Sequence, residues 1–159
     1  MQTEIIVLLM LLVYGIFYLF ACYRVQQLYF RKYNLSDANT AVLTLFLATL
    51  VSASVNLVHI SDIAADALRF FIGNGTTVKG LFYCLGFFVG MWVFSLILFQ
   101  LSFVLVGVMT RENETDELLK NNIGLAAVHA IILVSLSFII APALVKLASG
   151  FIPYPEMPF

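Results

Sequence analysis

The chain has 159 residues, of which 62% are hydrophobic and only 11% are charged, and its mean hydropathy is +1.03. A soluble domain carries about 25% charged residues, so this chain has too little charge to cover a water-facing surface. The composition excludes an ordinary soluble domain and predicts an all-α membrane protein. The net charge of −1 also argues against a nucleic-acid partner.

Four apolar stretches are long enough to cross a hydrocarbon core of about 30 Å, which takes roughly 20 helical residues. They cover residues 5–23, 40–60, 81–109 and 123–147. The first stretch lacks the basic segment and the cleavage site of a signal peptide, so we expect it to remain in the mature protein. Together they predict one transmembrane domain over residues 1–159, in contact with the lipid bilayer.

Lysine and arginine residues in the short loops predict the orientation of the chain. Those that follow the first and third spans are Arg24, Arg31, Lys32, Arg111 and Lys120. Those on the opposite side are Arg69, Lys79 and Lys146. The excess on the first side predicts that both termini lie outside and that the loops after the first and third spans lie in the cytoplasm.

Residues 62–78 join the second and third spans and place apolar residues at helical spacing, with Asp62, Asp66 and Arg69 between them. A Gly-Asn-Gly sequence then provides a helix stop. The pattern predicts a short interfacial helix, with an ordinary capped loop as the alternative. The proline-rich tail at residues 149–159 is expected to lie extended at the outer interface or against a partner chain.

Two pentapeptides, LVSAS at Leu50–Ser54 and LVSLS at Leu133–Ser137, are nearly identical. Aligning them also pairs Asn39 with Asn122, and each asparagine lies where a loop becomes a helix. Asparagine is a favoured N-cap because its side chain accepts hydrogen bonds from the first helical turn. The alternative is coincidence between helices that are both rich in leucine and serine.

We interpret the match as an internal duplication. The two repeats would cover about residues 4–61 and 79–148, with residues 62–78 as a linker. Each repeat contains two crossings, so both copies must have the same orientation. The prediction is a pair of parallel helix-pair repeats related by an axis along the membrane normal.

The stretches DANTAVLTLFLA and KNNIGLAAVHAI open the second and fourth spans. With these asparagine-led helix starts the chain resembles domain of unknown function 350, the YjfL-like small bacterial inner-membrane proteins. The resemblance covers most of the chain and implies two tandem helix-pair repeats in a bacterial inner (cytoplasmic) membrane. It implies no activity.

A polar stripe runs along the second span, where Thr49, Ser52, Asn56 and His59 follow at spacings of three, four and three residues. In lipid such groups need hydrogen-bond partners. They either line a hydrated path, with His59 titrating near neutral pH, or hold helices together at roughly 0.6–2 kcal/mol each. We favour the second interpretation.

Small residues four positions apart predict close packing between helices. They are Gly86 and Gly90 in the third span, Ala48 and Ser52 in the second, and Ala126 and Ala130 in the fourth. The spacing does not distinguish contacts within one chain from contacts between two chains.

The remaining polar residues predict no catalytic site. His129 and His59 have no cysteine or carboxylate spaced to complete a metal site, so we expect His129 to be a packing residue. The acidic stretch at residues 110–121 predicts a solvated turn into a helix that Thr115 could cap, or alternatively a cation-attracting pore mouth. With no recognisable nucleophile–base pair, we expect no enzyme, no metal and no cofactor.

Two functions from different classes follow from these patterns. The first is an integral membrane subunit that acts by helix packing and assembly, with itself or with other membrane subunits. The alternative is a small channel or transporter whose path is lined by the polar stripe.

Overall fold

The computed structural model of the chain describes residues 2–33, 39–111 and 113–152. Over these residues the protein is helical, with α1 (Gln2–Lys32), α2 (Thr40–Gly73), α3 (Thr77–Thr110), α4 (Glu114–Leu119) and α5 (Ile123–Ser149). All except α4 are long and apolar enough to cross a membrane. The prediction of an all-helical chain with four such helices is confirmed.

The four long helices alternate in direction, which defines two ends of the bundle. At the end that we call the terminal end, Glu4 of α1 pairs with Arg69 of α2 at 3.0 Å. At the other end, the loop end, the Asn39 side chain donates to the backbone carbonyl of Leu118 in α4 at 2.6 Å. α2 and α5 therefore both start at the loop end and run in the same direction.

The first helix is longer than the apolar stretch that predicted it. It continues from Tyr23 to Lys32 because this segment contains good helix formers and neither glycine nor proline. Gln26 and Phe30 are each only 3% exposed, so the added turns also pack against the bundle.

The second helix also continues past its predicted end, so the prediction of a separate interfacial helix, or of a loop, is wrong for residues 62–73. No glycine or proline interrupts the chain before Gly73, and Ile63, Ala67 and Phe71 extend the buried face of α2. The helix does stop at the Gly-Asn-Gly sequence. Asn74 is its C-cap, and Gly75 takes the positive φ of 70° that glycine adopts without strain.

The most extensive helix contact joins α2 and α5. Small side chains lie in this contact, and Ala48 and Ala126 are 6% and 0% exposed. They allow the two helices to approach closely, which brings polar residues of α2 and α5 within hydrogen-bond distance.

The C-terminal tail begins against the terminal end of α2. Ile152 is 4% exposed and packs with Ile63 and Ala67. Residues 153–159, which carry the rest of the predicted extended tail, lie outside the described residues.

Both asparagines of the aligned stretches are N-caps. The Asn39 Oδ1 atom accepts from the backbone amides of Ala41 at 2.9 Å and Val42 at 3.2 Å. The Asn122 Oδ1 atom accepts from the amide of Leu125 at 3.1 Å. Asn39 also holds α4 through its bond to Leu118, so it joins α2 to the loop end.

We therefore expect Asn39→Ala to lower the free energy of unfolding by about 1–2 kcal/mol, because the substitution removes the cap and the bond to α4 together. Reversible denaturation in mixed micelles measures this change. Asn74→Ala, which removes one exposed C-cap side chain, is the matched control and is expected to cost less. Equal costs for the two variants would contradict the role of Asn39 at the loop end.

Candidate functional site

The polar stripe of α2 faces the interior of the bundle, and three of its residues bind three different helices. The Gln26 amide of α1 donates to Thr49 Oγ1 at 3.0 Å. The hydroxyl groups of Ser52 and Ser137 of α5 share a hydrogen bond. The Asn56 amide donates to Ser95 Oγ of α3 at 2.9 Å.

Ser95 extends this network to Tyr18 of α1. The Ser95 hydroxyl donates to the backbone carbonyl of Met91 at 3.0 Å. Ser95 Oγ therefore acts as the acceptor both for Asn56 and for the Tyr18 hydroxyl at 2.7 Å. Each of the four long helices thus contributes to one buried polar core.

His59 is not part of this core. It is half-buried near the terminal end, and among the described residues no hydrogen bond joins it to Thr49, Ser52 or Asn56. The stripe predicted as one unit is therefore a set of three interhelical contacts with His59 outside it.

A small cavity lies within the polar core, with a volume of about 20 Å³. Its lining includes Cys22, Gln26, Thr49, Ser52 and Ser95. A volume of this size has room for about one water molecule. It is too small for a hydrated path, so the polar residues of α2 act here as contacts between helices.

A second polar cluster lies at the loop end and was not predicted from the sequence. His129 of α5 is 0% exposed, and its Nε2 atom lies 2.7 Å from Ser102 Oγ of α3. Its Nδ1 atom is hydrogen bonded to Glu114 Oε1 of α4. The contact between Glu114 and His129 was not predicted, and it forms because the short helix α4 folds back over the start of α5.

In this cluster serine, histidine and glutamate are hydrogen bonded in the same sequence as in a Ser–His–Glu catalytic triad. The serine lacks the access to substrate that catalysis needs. Ser102 is 0% exposed, and its hydroxyl donates to the backbone carbonyl of Phe99 at 2.7 Å. The aromatic rings of Phe103 and Phe99 lie 4.4 Å and 6.1 Å from the His129 ring. These contacts leave no approach for a substrate carbonyl to Ser102 in this conformation.

The acidic stretch before α5 is only partly solvated, so the prediction of a solvated turn is wrong for Glu114, which is 5% exposed. The N-cap of α4 is Asn113, whose side chain accepts from the Thr115 amide at 3.2 Å, and not Thr115 itself. Asn113 can take this position because it adopts an extended backbone. Glu112 of the same stretch lies outside the described residues.

Glu117 joins α4 to the start of α5. Its carboxylate accepts from the Asn122 side chain at 2.7 Å and from Lys120 Nζ at 2.6 Å. These hydrogen bonds, with that from Asn122 the stronger influence, lower the pKa of Glu117 below its ordinary value. The carboxylate therefore stays ionised at neutral pH and supports the N-cap of α5.

The small-residue pairs differ in how the fold uses them. Ala126 is buried against Ala41, Val42 and Leu45 of α2, Ala48 is also buried, and Ala130 is half-buried. Gly86 and Gly90 are exposed, and a Cβ atom added to either one would meet no described atom outside the local backbone of α3 within 4 Å.

The two glycines lie in an apolar groove of about 660 Å³ between α3 and α5. The groove walls include Phe82, Phe87, Phe94, Leu144 and Phe151. None of the described helices fills the groove, so the glycines mark a face of α3 that the described residues leave open.

Comparisons with known proteins do not place the chain in a family. No protein-family model, curated protein or solved structure that was compared with it matches. The resemblance to domain of unknown function 350 therefore stays a prediction.

The Ser52–Ser137 contact can be tested by a double-mutant cycle. We expect Ser52→Ala and Ser137→Ala to be coupled by about 0.6 kcal/mol, the average for such bonds between membrane helices. The free energies of unfolding of the two single variants and the double variant give the coupling. Ser54→Ala combined with Ser137→Ala is the control, since the exposed Ser54 hydroxyl bonds to its own helix at Leu50. Additive costs in both cycles would contradict the interhelical bond.

Proposed function

We propose that the chain is an integral membrane subunit that acts by assembling with a second copy of itself through the face of α3 that carries Gly86 and Gly90. The observation that carries this proposal is that both glycines are exposed in an apolar groove with no atom near their Cβ positions. Glycines four residues apart let two membrane helices approach at backbone distance.

The other small-residue pairs support the same proposal by contrast. Ala48 and Ala126 are buried inside the bundle, where Ala126 packs against Ala41, Val42 and Leu45 of α2. Gly86 and Gly90 have no such use within the described residues. Two copies in one membrane have the same orientation, so α3 can meet α3 of a second copy as a parallel, self-complementary pair.

The polar core also supports packing over conduction. Thr49, Ser52 and Asn56 each have a hydrogen-bond partner on another helix. A residue that lines a conducting path would instead face water. The alternative of a channel or transporter lined by this stripe therefore has less support.

The finer architecture and the localisation belong to the same proposal. The parallel direction of α2 and α5 and the two asparagine N-caps support an internal duplication about an axis along the membrane normal. The distribution of lysine and arginine supports termini on the outside, and the family resemblance supports a bacterial inner membrane.

The experiment measures association in liposomes by fluorescence energy transfer between labelled copies. We expect Gly86→Leu and Gly90→Leu each to weaken association about tenfold or more, since leucine would hold the two helices apart. The matched control is Ser54→Leu, which enlarges an exposed small residue on α2 away from the groove. The glycine variants are expected to keep their stability because, among the described residues, no atom outside the local backbone of α3 lies within 4 Å of the added Cβ.

Two results would contradict the proposal at different points. If the wild-type chain stays monomeric in liposomes, self-assembly is not its mode of action. If it assembles and the glycine variants assemble equally well, another face of the bundle forms the interface.

A further inference from the structure

The cluster at the loop end buries two ionisable side chains, although apolar side chains could fill the same space. Glu114 is 5% exposed and His129 is 0% exposed, and they are hydrogen bonded to each other. The Oε2 atom of Glu114 is buried and has no hydrogen-bond partner among the described residues. The number of protons that this cluster holds follows from its hydrogen bonds.

The single hydroxyl proton of Ser102 determines the direction of the hydrogen bond between Ser102 and His129. A backbone carbonyl only accepts, so the bond between Ser102 and the Phe99 carbonyl uses the single proton of the Ser102 hydroxyl. Ser102 Oγ must then accept in its bond to His129. His129 Nε2 therefore carries a proton and donates it to Ser102.

The bond between His129 Nδ1 and Glu114 Oε1 needs a proton of its own. A bare imidazole nitrogen and a carboxylate oxygen would meet lone pair to lone pair, which repels. One proton must lie between them, in addition to the proton on Nε2. In water at neutral pH a separate glutamate is ionised and a separate histidine is mostly neutral, so the pair holds one proton more than its separate members.

The surroundings decide which atom carries this proton. The rings of Phe99 and Phe103 on α3 lie against His129, and the buried Leu118 closes α4 on the side of Glu114. Of the neighbouring charged groups, Asp116 is exposed, and Glu117 and Lys120 form an ion pair with each other. With Oε2 unpartnered, an ionised carboxylate would lose its hydration without replacement, whereas a protonated carboxyl group loses much less.

We propose that Glu114 and His129 form a buried proton-binding site, which takes up one proton from water when α4 packs onto the bundle. The proton resides on Glu114, whose carboxyl O–H donates to His129 Nδ1. His129 is the neutral Nε2–H tautomer and donates to Ser102, which donates to the Phe99 carbonyl. The bonds form one directed chain from α4 through α5 to α3. This site is independent of the α3 face and of self-assembly.

Solid-state nitrogen NMR of the protein in liposomes at pH 7 tests the histidine. The chain has two histidines, so His59→Gln leaves His129 as the single signal. We expect a neutral imidazole with its proton on Nε2. An imidazolium signal or a proton on Nδ1 alone would overturn the proposal.

Isotope-edited infrared spectroscopy of glutamate-labelled protein tests the carboxyl group. We expect an absorption of a protonated carboxyl at pH 7 that disappears in Glu114→Gln and remains in Glu117→Gln. Its absence from the wild-type chain would overturn the proposal. The side-chain amide introduced by Glu114→Gln can still donate to Nδ1, so the Nε2–H tautomer should persist in that variant. If the variant does not fold, the infrared spectrum of the wild-type chain and the NMR signal of His129 still decide.

Discussion

Replacing His129 with alanine is expected to lower the free energy of unfolding by about 3–5 kcal/mol. The substitution removes a large, fully buried ring that packs against Phe99 and Phe103, and it removes the hydrogen-bond partner that Glu114 has among the described residues. The loss therefore combines a cavity with an unsatisfied polar group. Reversible unfolding in mixed micelles measures the change.

His59→Ala is the matched control for this prediction. His59 is half-buried at the terminal end and makes no hydrogen bond among the described residues, so we expect a cost below about 1 kcal/mol. A similar cost for the two alanine variants would show that the contacts of His129 with Glu114 and Ser102 do not stabilise the fold.

Ala126→Leu is expected to produce the second large effect, a loss of about 1–3 kcal/mol in the free energy of unfolding. Ala126 is 0% exposed in the contact between α2 and α5, and it packs in one cluster with Ala41, Val42 and Leu45. Three added carbon atoms at this point must push the helices apart or move neighbouring side chains from their preferred rotamers.

The control lies one turn further along the same helix. Ala130 is half-buried, so a leucine there has room to turn toward lipid, and we expect Ala130→Leu to cost less than about 1 kcal/mol. Thermal unfolding monitored by circular dichroism ranks the two variants. If Ala130→Leu costs as much as Ala126→Leu, the close approach of α2 and α5 is not centred on Ala126.

The sequence was sufficient for the four long helices because hydropathy over about 20 residues is a strong signal. It was weaker at their ends. The apolar stretch of α1 stops at Tyr23, but helix formers and the buried Gln26 and Phe30 carry the helix to Lys32. Hydropathy also separated residues 62–73 from α2, although nothing in their backbone chemistry breaks the helix before Gly73.

The cluster at the loop end could not be predicted because its residues come from three helices. Glu114 looked like one member of a solvated acidic stretch, and the turn that buries it depends on Asn113 as the N-cap and Leu118 as the anchor. The sequence did contain one sign that His129 is buried. His129 lies on the same face of α5 as Ala126 and Leu133, which are both buried, so its ring had to find partners inside the bundle.

The spacing of Gly86 and Gly90 likewise does not distinguish a contact within the chain from a contact with a second chain. The same spacing of small residues in α2 and α5 serves contacts within the chain. Only the position of each helix face relative to its neighbours separates the two cases. The exposure of the two glycines among the described residues favours the proposed contact with a second copy.

The length of α3 has a consequence for the membrane itself. The helix carries no charged residue from Gly80 to Thr110, a run of about 46 Å at about 1.5 Å per residue. A typical hydrocarbon core is about 30 Å thick, so the helix faces a hydrophobic mismatch that tilting, bilayer thickening or protrusion must absorb. Since α3 is packed along α2, any tilt is shared by the whole bundle. In the proposed assembly, bilayer thickness would therefore set the angle at which the glycine face meets a second copy.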